Sequence, residues 1–222
     1  MNGRASDEGP TVADLLGGTF RLLRRGAPRA GIALLILAAL GIVIDSRMAG
    51  PEWEGLLNLF ASVLVIVAQY RVTRLLLGDL AGEMPTGGSI GAFIVLGIMS
   101  GLGILLGLLL LVVPGIVLFV RWSIAVPILL DTGDGVTDSL RRSWHDTEGC
   151  FWPILVTYLV LYGPAVAAAA LGYALATWNP DNLAGVVVAN LALNGGLIVG
   201  WHAAVAIYSH FQSPPSIAAV FE

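Results

Sequence analysis

Five apolar stretches, at 30–48, 56–77, 90–130, 151–177 and 183–209, alternate with short polar segments along the chain. A helix needs about 20 such residues to cross a ~30 Å hydrocarbon core. The third stretch is twice too long; rising ~1.5 Å per residue, it would reach about 60 Å as one helix. Inside it stand Val113, Pro114, Gly115 and Ile116. Proline lacks a backbone donor and glycine accepts positive φ, so Pro114 and Gly115 suit a tight turn. The pattern predicts a hairpin turn there, between spans at 90–113 and 115–130. The turn's neighbours Leu110, Leu111, Val112 and Val113 offer water no polar group. The tip is therefore expected near the headgroups, packed against other helices. The fourth span, about 16 residues long, implies local thinning or a broken segment.

The expected fold is all-α: a polytopic membrane helix bundle of six transmembrane helices plus two interfacial amphipathic helices. Residues 1–29 form a cytoplasmic N-terminus with one interfacial helix. Residues 30–209 form the transmembrane domain, with spans at 30–48, 56–77, 90–113, 115–130, 151–177 and 183–209, and residues 210–222 a cytoplasmic tail.

The two amphipathic segments precede the first and fifth spans. In the first, Thr11 and Asp14 resemble a capping box. Val12, Leu15, Leu16, Phe20 and Leu23 share one helical face, with Arg21, Arg24 and Arg25 towards the other. An interfacial helix at an anionic leaflet and a plain positive-inside anchor both fit. In the second, Val136, Leu140 and Trp144 recur every four residues, Asp138 is placed to pair with Arg142, and Gly149 stops the helix. At one constant offset Val12 matches Val136, Asp14 matches Asp138, Leu16 matches Leu140, Thr19 matches Ser143 and Phe20 matches Trp144. An internal duplication and chance likeness between two amphipathic helices both produce this.

Orientation follows from arginine. With the N-terminus inside, Arg4, Arg21, Arg24, Arg25, Arg29, Arg71, Arg74, Arg141 and Arg142 all fall on the cytoplasmic side. Arg47 is then left outside and Arg121 within the membrane. The positive-inside rule selects this arrangement, with both termini cytoplasmic. The apolar segment at 30–48 lacks a cleavage site after it and is expected to stay as an anchor.

Composition agrees: the chain is 57% hydrophobic and 12% charged, about half the charge of a soluble domain. A net charge of −4 gives no case for nucleic acid. Cys150 is the sole cysteine, so no intramolecular disulfide and no cysteine metal site forms.

Between 110 and 155 the order is Pro114, Gly115, an apolar helix with Arg121, Asp131, a helix ending in Ser143 and Trp144, Gly149, then Phe151 and Trp152. This resembles a bacterial membrane-domain family found fused to glycerophosphodiester phosphodiesterases and in related inner-membrane proteins. Asp131 stands where that family more often has Glu, and His145 and Asp146 where it has a basic or apolar pair. The resemblance implies a multi-span inner-membrane domain. It does not imply phosphodiesterase chemistry, whose soluble barrel of roughly 250 residues has no room here.

Candidate chemistry is sparse. Gly97 to Gly101 around Ser100 has one residue too many for an intramembrane serine-protease motif, and nothing in sequence links His202 to it. His202 and His210 lack metal-ligand spacing. Gly101, Gly103 and Gly107 miss the nucleotide-binding spacing. No cofactor or metal is expected, and the chain reads as a non-enzyme. The pairs Gly97/Gly101, Gly103/Gly107 and Gly196/Gly200 suit close helix packing. Trp53, Trp178 and Trp201 suit an interfacial belt.

Arg121 is the strongest functional candidate, since a charge within the bilayer is costly. It reads either as a structural ion pair, with Asp131 as partner, or as a seat for phosphate or carboxylate. Asn190 and Asn194, one turn apart, are candidates for the same interior. Arg141, Arg142, Ser143 and Trp144 mark the interfacial helix. The expected role is to bind phospholipid or an amphiphilic anion in an envelope-related setting. The alternatives are a small transporter or channel component, or a scaffold subunit of a membrane complex. Expected partners are membrane lipids, with a membrane-protein partner or a homo-oligomer left open.

Overall fold

A computed structural model describes residues 9–46, 48, 50–179 and 182–212. Arg4, Arg47 and the tail beyond 212 lie outside the described residues. The elements are all helical: α1 (Val12–Arg25), α2 (Ala27–Asp45), α3 (Pro51–Ala81), α4 (Ile90–Leu110), α5 (Val112–Arg121), α6 (Ala125–Thr132), α7 (Val136–Asp146), α8 (Phe151–Trp178) and α9 (Leu183–Phe211). Six segments are long and apolar enough to cross a membrane, α5 and α6 together making one of them.

Local chemistry sets the boundaries. Thr11 Oγ1 accepts from the Asp14 N–H at 3.3 Å, and the Asp14 carboxylate accepts from the Thr11 N–H at 3.0 Å. The capping box is complete, and the bonds from Thr11 hold the Asp14 carboxyl below its ordinary pKa. Pro51 opens α3, and Gly82 at φ +79° closes it in a left-handed cap. Ser89 caps α4 by accepting the Ala92 N–H at 3.1 Å.

The third span differs from the sequence expectation at its turn. α4 runs to Leu110, and the chain reverses at Leu111, which is extended at φ −158° and ψ 130°. Pro114 and Gly115 lie in the first turn of α5, not at the centre of the hairpin turn. The ambiguity is physical. Proline's fixed φ suits a turn, but it equally suits the first turn of a helix, where its missing N–H has no partner to lose. Gly115 serves packing instead: a Cβ there would drive into Leu108, and one on Gly107 would stand 2.8 Å from the Gly115 backbone. The tip also differs in its surroundings. Leu109 to Val113 are 63–78% exposed, so no other helix of this chain covers them.

The fourth span is 21 residues long rather than the expected 16, and it is broken between α5 and α6. Pro127 supplies the reason: it has no N–H for the Ser123 carbonyl, and its ring conflicts with a helical carbonyl four residues back. The backbone tightens there, with Ser123 N–H bonded to Val120 O at 3.3 Å and Ala125 N–H to Trp122 O at 3.1 Å.

Both ends of the described chain meet at one end of the bundle. Gly18 of α1 faces Ala206 and His210 of α9. Arg29 at the start of α2 pairs with Asp79 near the end of α3 at 2.7 Å. Asp131 at the end of α6 accepts from Tyr208 Oη at 2.7 Å. This arginine-rich end holds α1, α6 and α7 and most of the core. Leu15, Ile124, Ile128, Ile154, Val205 and Ile207 there have no exposed surface.

The far half is held by close backbone approach instead. A Cβ on Gly172 of α8 would stand 2.6 Å from the Gly185 carbonyl of α9, the small-residue packing expected between helices in lipid. The glycine pairs divide. Gly103 lies under Trp122, Gly107 against Gly115, and Gly196 and Gly200 against Tyr162, whereas Gly97 and Gly101 face open space. Trp53 and Trp178 are exposed at the far end, at 55% and 91%, as a belt requires. Trp201 is not a belt residue: at 7% exposure it is packed in the core.

Candidate functional site

Arg121 ends α5 at the break, and α7 folds back beside it. The Arg121 carbonyl would bond residue 125 in an unbroken helix, but Ala125 turns to Trp122 instead. Ser143 replaces that partner, its Oγ donating to Arg121 O at 2.7 Å. Thr147 Oγ1 also approaches Arg121 O, at 3.4 Å, while bonding Ser143 O more closely at 2.7 Å. The conformation thus holds Arg121 by its backbone and leaves its side chain available.

The half-buried guanidinium lies over the Trp144 ring, 5.4 Å from the centroid, in a cation–π arrangement. Among the described residues its one hydrogen bond, Nη1 donating to Trp144 O, is 3.5 Å long. Among the described residues Arg121 has no carboxylate partner. Arg74 has none either, but it donates to Tyr70 Oη at 2.8 Å and to the Pro85 carbonyl, locking the α3–α4 loop. Arg121 has spent almost none of its donors.

The structure therefore brings Arg121, Ser143 and Trp144 together and separates the other candidates. Asp131 is not the partner of Arg121. It accepts from Tyr208 Oη at 2.7 Å and Gln212 Nε2 at 2.8 Å, tying α6 to the end of α9. Arg142 pairs with Asp134 and Asp146, each at 3.5 Å, rather than with Asp138. Arg141 is exposed beside it. Asn190 and Asn194 do not share Arg121's surroundings. Asn190 Nδ2 bonds Asp45 Oδ2 at 2.9 Å in the far half, where Tyr173 Oη meets the same oxygen at 2.9 Å. Asn194 Nδ2 bonds the Asn190 carbonyl at 2.9 Å.

Ser100 and His202 have separate partners: Ser100 Oγ bonds Leu96 O at 2.8 Å and His202 Nδ1 meets Ile198 O at 2.7 Å. The His202 Nε2 edge lies against Gly26, at the α1–α2 joint. Cys150 is buried at the start of α8, which pushes its thiol pKa up. Among the described residues no group of three His, Cys, Asp or Glu side chains converges to hold a metal.

One feature escaped the sequence reading altogether. A cavity of about 270 Å³ lies on the other side of the break, lined by Gln69, Thr73, Ser100, Ser123, Tyr158 and Tyr162 among apolar neighbours. A signal existed. Gln69 with Thr73, and Tyr158 with Tyr162, are polar pairs four residues apart inside apolar spans, so each pair shares a helix face.

These features define the class: a multi-pass, all-helical integral membrane protein. No family model, curated protein or solved structure matches the chain.

Proposed function

We propose that this chain is a non-enzymatic inner-membrane protein that seats an anionic headgroup, a phospholipid phosphate or a like amphiphilic anion, on Arg121. The observation that carries this reading is the guanidinium itself: half-buried, stacked on Trp144, and without a carboxylate among the described residues. A guanidinium with free donors beside lipid suits bidentate phosphate binding. Trp144 and Trp152 are exposed at 38% and 69%, as aromatic side chains at headgroup level are. The non-enzymatic reading rests on the separate partners of Ser100 and His202.

Orientation belongs to the same proposal. Arg21, Arg24, Arg25, Arg29, Arg74, Arg141 and Arg142 share one end, and the charged groups described at the other are Asp45, Glu52 and Glu54. The positive-inside rule then puts both termini in the cytoplasm. Membership of the membrane-domain family found fused to phosphodiesterases is proposed on the Pro114 to Trp152 pattern and on nothing further.

Native mass spectrometry from nanodiscs containing phosphatidylglycerol tests the reading. Wild type should retain a discrete phospholipid adduct, and Arg121→Leu should lose it by about tenfold in occupancy, equal to ~1.4 kcal/mol. Arg121→Lys keeps the charge without the fork and should fall between them. Equal adducts on all three proteins would leave Arg121 a packing residue and end the proposal.

A further inference from the structure

We infer that the cavity beside the α5–α6 break is a second, separate site, which takes an uncharged hydroxylated headgroup entering sideways from the lipid.

The chemistry of the walls selects the ligand class. Gln69, Thr73, Ser100, Ser123, Tyr158 and Tyr162 supply hydroxyl and amide groups, and the lining contains no charged side chain. A charged headgroup would find no counter-charge there, in surroundings of low dielectric. A purely apolar one would strand the buried polar groups that face it. Ser123 is short of partners at both its hydroxyl and its carbonyl. Ser123 Oγ is out of solvent reach with no well-formed hydrogen bond, facing the Tyr158 phenol. Pro127 denies the Ser123 carbonyl the donor that an intact helix would give it. The break therefore places polar groups at membrane depth where they line a cavity, the setting in which irregular backbone is tolerated there.

The volume fits a headgroup and excludes its tails. About 270 Å³ corresponds to roughly nine waters at ~30 Å³ each, too little for acyl chains as well. Packing shows where the chains would lie. The contacts between α3 and α4 sit beside their connecting loop: Tyr70 against Phe93 at 5.6 Å, Tyr70 Oη to Gly88 O at 3.3 Å, and Arg74 to Pro85. Further along, Val63 and Val67 of α3 and Leu105 and Leu108 of α4 are exposed, at 38–52%. Gln69 and Thr73 of α3 and Ser100 and Ile104 of α4 form the cavity wall beside that parting, so an amphiphile entering there keeps its chains in the bilayer. Arg121 takes no part: its guanidinium lies over Trp144, and neither residue lines the cavity.

Native mass spectrometry with two neutral probes, 1,2-dioctanoylglycerol and octyl glucoside, tests this, with phosphatidylglycerol as the charged comparison. Wild type should hold one neutral adduct that phosphatidylglycerol does not displace. Which probe binds shows whether a single hydroxyl or a sugar ring is preferred. Gln69→Leu, on α3, and Ser123→Val, in the break, should each lower its occupancy at least tenfold while eluting as wild type does. Arg121→Leu should keep it, so that this site and the phosphate seat stand or fall apart. Absence of both adducts from wild type, undiminished adducts in both cavity variants, or loss in Arg121→Leu would each overturn the inference.

Discussion

Single residues in this bundle act mostly by being small or by being held. Gly115 is the clearest small one. A Cβ there would meet the side chain and backbone of Leu108, and its partner Gly107 leaves no slack, at 2.8 Å from the Gly115 backbone for an added Cβ. Gly115→Ala should therefore part α4 from α5 and lower stability by about 1–3 kcal/mol, as overpacking does. A thermal unfolding scan in detergent checks it, with Gly101→Ala as the control, since nothing stands within 4 Å of an added Cβ there. An equal effect of the two substitutions would mean helix propensity matters and the close approach does not. Gly115 was visible in the sequence, but with the wrong task. Pro114 and Gly115 carry identical turn signals whether they reverse a chain or begin a helix, and only the neighbour they touch decides. Arg121 was legible as an isolated charge in an apolar run. That its partner is an indole and not Asp131 was not, because Asp131 is taken by Tyr208 and Gln212 from a helix 77 and 81 residues away.

At the scale of elements, α1 and α7 show an amphipathic pattern that finds the helices but misplaces their buried faces. Both begin at the matched positions Val12 and Val136, yet Phe20 and Trp144 of the expected faces are exposed, at 55% and 38%, while Leu22, Ser139 and Ser143 are buried, and α7 ends at Asp146, before Gly149. The matched pair Thr19 and Ser143 is fully buried, as are Leu15 and Ser139, which stand at the same offset. The packing partners nevertheless differ: α1 lies on α8 and α9, α7 on α4, α5 and α6. The likeness thus extends to the faces of the two helices and stops at their neighbours. What α7 does was invisible in sequence. It closes the helix break by giving the orphaned Arg121 carbonyl a donor from Ser143 at 2.7 Å. Ser143→Ala leaves that carbonyl the long 3.4 Å approach of Thr147, and should cost about 1 kcal/mol. Hydrogen exchange of the amides at 122–125 should quicken severalfold while that of α8 stays unchanged. Uniform acceleration across the bundle would show general destabilisation rather than a latch.

On the scale of the whole molecule, the core is lopsided, and the lengths of the helices explain why. α3, with 31 residues, and α9, with 29, would be about 46 and 44 Å long, well beyond a ~30 Å hydrocarbon core. The excess has to lie at headgroup level or in water, where apolar surface gains by burial, whereas inside lipid it gains little. That is where α1 and α7 gather, and where Leu15 and Ile207 lose all exposure. In the far half, where lipid is solvent, the helices meet at Gly172 against Gly185 and at the Asp45 hydrogen bonds to Asn190 and Tyr173, and the tip at 109–113 is exposed. The span count could be read from the sequence because each crossing carries its own apolar run, but the lopsidedness could not, since it arises from which helix ends overhang. The overhang fixes a test of orientation. In a Cys150→Ala background, Glu148→Cys marks the arginine-rich end and Glu52→Cys the far end, both at exposed positions. A membrane-impermeant maleimide added to intact spheroplasts should label position 52 and spare position 148, and inverted vesicles should give the reverse. The opposite result would invert the protein and place its arginines outside, against the charge rule. Labelling of both positions from one side would mean an even number of crossings between them, contrary to the three seen. Between residues 52 and 148 lie α3, α4 and the paired α5 and α6, three crossings, so opposite-side labelling is the outcome this architecture requires.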